Sequence, residues 1–213
     1  MSVKSDSLSI GITVGAFGSA FGAAAVASHY SVLQACLLSL LTFSGASQFA
    51  VIGVLGSGGS AISAIATSSL LGIRNGLYGV RMAQILKISG IKRIFGAQLT
   101  IDESTGVALS QRTPAEMKTG FWYTGLAVYI FWNLFTLLGA LGASALGDPA
   151  AWGLDTAIPA IFLGLVWNRL SDRKAWAIAL SALVVALALT PIAPAGIPIM
   201  STVILAVILG WNE

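Results

Sequence analysis

Apolar runs of about 20 residues follow one another through most of this chain, and the charged residues gather at the ends of the runs. A helical run of that length matches the thickness of the hydrocarbon layer of a bilayer. Backbone groups in hydrocarbon must be paired within the protein, so such runs form helices there. The sequence therefore predicts an all-α polytopic membrane protein, with residues 1–213 forming one transmembrane domain.

The charged residues are too few for an average soluble domain. They make up 9% of the 213 residues, against roughly a quarter in soluble proteins. The net charge of +3 and the pI of 9.2 come from basic residues beside apolar runs, where they act as topology signals. We therefore expect the lipid bilayer, and no nucleic acid, as a partner of this chain.

Cysteine and histidine, the most common residues of metal and catalytic sites, occur once each. Cys36 and His29 are the two cases. A single cysteine excludes an internal disulfide and a multi-cysteine metal site. With a single histidine, the sequence offers no triad or zinc constellation. We expect no cofactor, no metal and no enzymatic activity.

Capping patterns place the starts of about seven transmembrane helices. Ser31 and Gln34 form a capping-box pattern, Ser60 can cap the helix after a glycine-rich turn, and 113–116 combines a cap, a proline and a glutamate. The first run also resembles a signal peptide, but it is long enough to span. The first two predicted helices cover approximately 8–27 and 32–55, and the third begins after 60. The fourth covers about 114–146, the fifth begins after 156 and ends near 168, and the last two cover about 174–190 and 199–211. A polar, interfacial connection lies at about 86–118.

Four glycines lie on nearly one face of the first predicted helix. They are Gly11, Gly15, Gly18 and Gly22, at three- and four-residue spacing. Such a face allows the backbone of another helix to approach closely. It predicts helix packing, with a substrate-lining face as the alternative.

The second predicted helix contains Ser44-Gly45-Ala46-Ser47-Gln48, which suggests a break. If the helix unwinds there, the amides of a half-helix N-terminus are exposed, an arrangement with which transporters hold a carboxylate. The alternative is a continuous helix in which Ser44 and Ser47 bond to their own turn. The sequence leaves both interpretations open.

The third predicted helix carries Arg74 and Asn75 in an otherwise apolar run. Polar groups persist in hydrocarbon where they face protein or a water-filled cavity, so they mark a pathway. Arg74 fits either a helix end, with helix 3 broken beside Asn75-Gly76, or a fork that binds a carboxylate. Arg81, two turns further on, is interpreted as reaching the interface.

Three acidic residues are candidates for proton binding. Asp102 and Glu103 form an adjacent pair in the polar connection, and Asp155 precedes the fifth predicted helix. The pair marks either a solvated loop or helix N-terminus, or a gate near the pathway. Asp155 is either a helix N-cap or a carboxylate that faces the substrate route.

The basic loops at 87–118 and 169–174 are joined by two predicted spans, so both can be cytoplasmic. Counting back through the predicted helices then places the N-terminus on the other side of the membrane. Two inverted triplets flanking the fourth helix would suit a transporter.

Four motifs resemble the AzlC/BrnF-like large subunits of bacterial branched-chain amino acid exporters. They occur in the family's order and span most of the chain, at 43–48, 74–79, 100–104 and 153–162. The resemblance implies an inner-membrane protein of about seven spans, a small AzlD-like membrane subunit of about four helices as partner, and efflux of leucine, isoleucine and valine, in some members also methionine. Ser104-Thr105-Gly106 departs from the family, which commonly has an aromatic residue there.

An aliphatic amino acid needs donors for its carboxylate, oxygens for its ammonium and an apolar pocket. We hypothesise that amides of 44–48, with Arg74, bind the carboxylate, and that Asn75, Gln48 or Asp155 meets the ammonium. Apolar residues of the first and fourth predicted helices would complete the pocket. Because the chain has no P-loop, the proton gradient is the expected energy source.

Three other functions remain open at this point: a transporter or channel for another small solute, a non-transporting membrane scaffold, and a membrane enzyme. A homo-oligomer is an alternative to the small subunit, since either would cover the glycine-rich and polar helix faces.

Overall fold

The computed structural model describes residues 2–147, 163–164, 166–167 and 170–210, and within these ranges the regular elements are all helices. The predicted all-α class is therefore confirmed for this part of the chain. Most of the fifth predicted helix, and Asp155, lie outside the described residues. The helices are α1 Val3–Ala27, α2 Val32–Leu41, α3 Ala46–Gly56, α4 Ala61–Leu86, α5 Ile91–Gln98, α6 Asp102–Leu109, α7 Pro114–Ala145, α8 Arg173–Leu189 and α9 Ile197–Gly210.

The predicted caps begin the helices as expected. Ser31 and Gln34 make both hydrogen bonds of a capping box at the start of α2. The Ser60 hydroxyl accepts the Ser63 amide at the start of α4, and the Thr113 hydroxyl accepts the Glu116 amide at the start of α7. These side chains satisfy amides that have no partner within the helix.

Helices α1 and α7 pack along the predicted glycine face and run in the same direction. Going along α1, Gly11 meets Ala127, Gly15 meets Phe131 and Gly22 meets Thr136. The Thr124 hydroxyl donates to the Ser7 hydroxyl in the same buried contact, at 2.8 Å. The packing interpretation of the glycines is therefore confirmed.

The second predicted helix is broken, and it turns back instead of crossing the bundle. It consists of α2 and α3, which are separated by residues 42–45. Ser39 of α2 and Gly22 of α1 both meet Thr136, so α2 returns along α1. Phe49 then packs on Phe21, and Gly56 lies against Ser28 at the end of α1. Both outer ends of this α2–α3 hairpin are therefore at one end of the bundle, and its single-span interpretation was wrong.

The third predicted helix is unbroken, contrary to the split considered beside Asn75. Helix α4 runs through Gly72, Gly76 and Gly79 for 26 residues. It packs antiparallel to α3, because Gly59 lies near Val54 at one end and Asn75 bonds to Ser44 at the other. Helix conformation costs glycine only about 1 kcal/mol, which packing on a neighbour offsets.

Helices α5 and α6 form a second hairpin, which enters the bundle from the opposite end. Helix α5 leads from the end of α4 towards the middle of the bundle. There the side-chain amide of Gln98 donates to the Leu40 carbonyl oxygen of α2 at 2.9 Å. Helix α6 returns along α7, with Ser104 near Gly125 and Val107 near Gly120. The predicted polar connection thus contains an inserted hairpin.

The triplets α1–α2–α3 and α4–α5–α6 have the same order and opposite directions. Each has a long helix, a short helix that returns to the middle, and a short helix parallel to the first. This inverted pair differs from the predicted one, which flanked the fourth predicted helix. In the described part of the chain two helices, α1 and α7, are long and apolar enough to cross a membrane, so the count of seven spans is not confirmed.

The start of α1 lies beside the start of α7, at the end where α5 and α6 enter. The Lys4 ammonium is 4.8 Å from the centre of the Tyr123 ring. The prediction that the N-terminus lies opposite the basic connection was therefore wrong, because α2 and α3 add no crossing between α1 and α4. We call this end the basic end; its cations are Lys4, Arg81, Lys87, Lys92, Arg93, Arg112, Lys118, Arg173 and Lys174.

Candidate functional site

A cleft of about 270 Å³ lies where the turns of the two hairpins meet beside the middle of α4. A larger groove of about 580 Å³ between α8 and α9 is lined mainly by aliphatic and small residues, so it offers few polar groups for recognition. The smaller cleft combines apolar side chains with hydroxyls and amides, as ligand sites do. Its lining residues are Leu41, Thr42, Phe43, Ser44, Ser47, Ser68, Ser69, Gly72, Asn75, Ala97, Gln98 and Thr100.

The N-terminus of α3 opens at this cleft. Gly45 precedes the helix with φ +53° and ψ −89°, a backbone conformation that favours glycine. The Gly45 backbone amide donates to the side-chain oxygen Oε1 of Gln48 at 3.0 Å. The amides of Ala46 and Ser47 have no hydrogen-bond acceptor in the described ranges. Two unpaired donors and the positive end of the helix dipole therefore meet at this helix start.

A chain of hydrogen bonds joins the α3 start to α4. The side-chain amide of Asn75 donates to the Ser44 hydroxyl at 3.3 Å, and the Ser44 hydroxyl donates to the Ser47 hydroxyl at 3.1 Å. Ser47 in turn donates to the Ser68 carbonyl oxygen at 3.0 Å. The structure thus brings together four predicted residues, Ser44, Gly45, Ser47 and Asn75, with Ala46 and Gln48 completing the helix start.

The end of α2 is held by two residues that the sequence analysis missed. The Tyr129 hydroxyl of α7 and the Gln98 amide of α5 both donate to the Leu40 carbonyl oxygen, at 3.2 and 2.9 Å. Carbonyls at a helix end have no partner within the helix, and these donors satisfy one of them. A break at 42–45 requires such donors, but only the tertiary structure shows where they come from.

Two buried donors beside the α3 start lack a partner among the described residues. They are Gln48 Nε2 and the indole nitrogen of Trp132. Gln48 is fully buried, and the Trp132 ring lies 3.7 Å from a Cβ built on Gly45. Buried donors are usually paired, so these two unpaired groups are exceptions, and both lie beside the α3 start. The apolar part of the cleft comes from Leu41, Phe43 and Ala97, and not from α1 and α7 as expected.

Arg74 lies next to the cleft residue Asn75 but is paired with a protein carboxylate. Its Nη1 donates to Asp102 Oδ2 at 2.7 Å, which ties α4 to the start of α6. Both side chains are more than one third exposed, so the pair contributes little to stability. Arg74 Nε and Asp102 Oδ1 are buried and have no other partner within the described ranges. The role of Arg74 in binding a substrate carboxylate stays a prediction.

The surroundings of Glu103 change its proton affinity. Burial raises the pKa of the Glu103 carboxyl group, and the adjacent Asp102 carboxylate raises it further. A backbone hydrogen bond and Arg74 act in the opposite direction. Glu103 lies in α6, outside the two helices that are long and apolar enough to span. Its protonated form is therefore favoured relative to an ordinary glutamate.

The first prediction concerns the pH dependence of stability at Glu103. Because the pKa of Glu103 is raised in the folded protein, protonated Glu103 adds to the free energy of unfolding. This contribution is complete below the unfolded pKa and is lost as the pH rises through the folded pKa. Glu103→Gln keeps the shape and cannot ionise, so we expect its melting temperature relative to wild type to increase from about pH 4 to about pH 8. Thermal unfolding across that range checks this, and a difference that shrinks with pH would contradict it.

Comparison with known proteins identifies the family. The family model described as "AzlC protein" matches residues 9–146. "Inner membrane protein YgaZ" of Escherichia coli is 29% identical over 191 residues, which are 86% of this chain and 78% of that protein. An uncharacterized membrane protein of Archaeoglobus fulgidus is 34% identical, over 72% of this chain and 68% of the relative. An uncharacterized membrane protein of Haemophilus influenzae is 26% identical, over 68% of this chain and 61% of the relative.

No solved structure matches this chain. The family match runs from within α1 to the end of α7 and includes all the described residues of the cleft. Together with relatives that are named as membrane proteins, it shows that this chain is a membrane protein of the AzlC family.

Proposed function

We propose that this protein exports branched-chain amino acids across the bacterial inner membrane, as the large subunit of a two-component permease. The observation that carries the proposal is the cleft, where unpaired amides at a helix start lie beside an apolar wall of Leu41, Phe43 and Ala97. A zwitterion with an aliphatic side chain needs both features in one small site. The resemblance of four motifs to those of branched-chain amino acid exporters implies the same substrate class.

In this proposal the carboxylate binds at the start of α3. The amides of Ala46 and Ser47, together with Gln48 Nε2, provide donors that the protein leaves unpaired within its described part. Asn75 Oδ1 is a buried acceptor without a partner in the same part of the chain, and it meets the ammonium. Arg74 joins the carboxylate only when it leaves Asp102.

The basic end faces the cytoplasm in this proposal. The connections at the other end, 28–31, 57–60 and 190–196, contain no lysine or arginine. Cytoplasmic loops carry the excess of basic residues, so the charge difference between the two ends supports this orientation. The two hairpins are then re-entrant, since α2 and α3 are each only about 15 Å long.

A small AzlD-like subunit is the proposed partner, and the proton gradient the proposed energy source. Many aliphatic side chains of α4, α8 and α9 are exposed, which a second membrane subunit would cover. The candidate proton sites are Asp102, Glu103 and Asp155. Protonation of Asp102 would free Arg74, which gives the pair a direct connection to the cleft.

The second prediction is an efflux measurement. We expect cells that express this chain with its AzlD-like partner to release preloaded labelled leucine, and collapse of the proton gradient to stop the release. The triple substitution Asp102→Asn, Glu103→Gln, Asp155→Asn should abolish gradient-driven efflux, because no candidate could then carry a proton. Replacing Glu116, which bonds only to the Thr113 cap among its described neighbours, with glutamine is the matched control.

Three outcomes would contradict parts of this proposal. Failure of a verified complex to release leucine, isoleucine, valine or methionine would exclude the substrate class. Full gradient-driven efflux by the triple variant would exclude the assigned proton sites. Undiminished efflux by this chain alone would exclude the need for the partner.

A further inference from the structure

Helix α5 has an apolar face that points away from the protein. Ile91, Ile94 and Phe95 are 65%, 66% and 61% exposed, whereas Gly96 is buried against Ile88. Three large apolar side chains on one eight-residue helix are an unusual surface for contact with water. In a membrane protein such a face fits acyl chains.

Three cations flank the outer part of α5. Lys87, Lys92 and Arg93 are exposed and form no ion pair with the described residues. Between Asp6 and Asp102 the sequence contains no acidic residue at all. No ion pair within the described residues neutralises these three cations, and they complement an anionic group.

The position of α5 brings its charges and its apolar face to one boundary. The helix begins at the basic end, four residues after α4, and its last residue Gln98 reaches the end of α2 in the middle of the bundle. Leu41 beside it is 74% exposed, so the apolar face continues onto α2. The cations thus lie at the outer edge of an apolar surface that extends inward.

We propose that α5 binds an anionic phospholipid. Lys87, Lys92 and Arg93 contact the phosphate headgroup, and Ile91, Ile94 and Phe95 contact its acyl chains. Basic clusters beside membrane segments attract anionic lipids, and each cation adds to the attraction. The lipid also supports a wall of the cleft, because Ala97 and Gln98 at the end of α5 line it.

The experiment measures which lipid touches α5 in the full-length chain. Cys36, the only cysteine, is replaced by serine, and Ile94→Cys carries a bimane fluorophore. The protein is reconstituted in vesicles of four parts phosphatidylcholine and one part phosphatidylglycerol. Two sets of vesicles are compared, one with brominated phosphatidylcholine and one with brominated phosphatidylglycerol, and both contain the same total amount of bromine. Brominated acyl chains quench the bimane label on contact. We expect roughly tenfold stronger quenching per brominated phosphatidylglycerol molecule, and a weaker preference at high salt.

Lys92→Gln with Arg93→Gln, which leaves only Lys87 of the three cations, should remove most of the preference for phosphatidylglycerol. The matched control is Arg112→Gln with Lys118→Gln, which removes the same charge from the same end but not from α5, and it should keep the preference. Equal quenching by the two lipids in the labelled protein that keeps Lys92 and Arg93 would overturn the proposal. A label that neither lipid quenches would overturn it too, by showing that protein covers this face. Because the readout is lipid contact, it does not depend on transport.

Discussion

Gly22→Ala is expected to destabilise the protein by about 3 kcal/mol or more, through a clash with the backbone of α7. A Cβ at this position would meet the Thr136 carbonyl oxygen, and it would lie 2.7 Å from the Ala140 amide nitrogen. Backbone atoms inside a helix cannot rotate away as the end of a side chain can, so α1 and α7 must separate. Thermal unfolding in detergent, with the folded fraction measured by size-exclusion chromatography, checks this.

Gly142→Ala is the matched control for this clash. Gly142 is in α7, and a Cβ built there meets no heavy atom within 4 Å. Alanine is favoured over glycine within a helix by about 1 kcal/mol, so this variant should be as stable as wild type or more so. If Gly22→Ala melted at the same temperature as Gly142→Ala, the close packing of α1 on α7 would be disproved.

Gly45→Ala is expected to remove the helix break on which the cleft depends. With φ +53° and ψ −89°, Gly45 has a conformation that costs other residues about 1–3 kcal/mol. The added Cβ has room, since its nearest neighbour is the Trp132 ring at 3.7 Å, so the effect comes from backbone strain. Relief of that strain would rotate the Gly45 amide away from Gln48 and shift the free amides of Ala46 and Ser47. We expect a lower melting temperature and a loss of leucine efflux.

Gly53→Ala separates this effect from a general response to alanine in the hairpin. Gly53 lies within α3, and its Cβ would meet nothing within 4 Å. This variant should keep both stability and efflux. Wild-type melting and efflux in Gly45→Ala would show that the conformation of Gly45 does not shape the site.

The local sequence was sufficient for the helix starts and for the candidate groups. Ser31, Ser60 and Thr113 cap helices as predicted, because a cap bonds to amides only two or three residues away. The glycine face of α1 was also readable, since four glycines at helical spacing fall on one side whatever the partner is. Ser44 to Gln48 and Asn75 were selected because polar groups are rare in apolar runs.

The partners and directions of the helices were decided by tertiary structure. Nothing near residues 42–45 in the sequence indicates whether a chain that leaves α2 continues across the bundle or turns back. That choice depends on Gln98 and Tyr129, which satisfy the Leu40 carbonyl from positions 58 and 89 residues away. The ion pair of Arg74 was likewise not readable from the sequence, because α6 brings Asp102 to it from 28 residues away.

Local sequence was enough to predict a helical, apolar chain, the starts of its helices and the polar residues within its apolar runs, because spacing and capping act over one or two turns. The entry of two hairpins from opposite ends, and their meeting beside α4, depends on contacts between distant residues. A helix end must find donors or acceptors for its unpaired backbone groups, and those at the cleft come from distant parts of the chain.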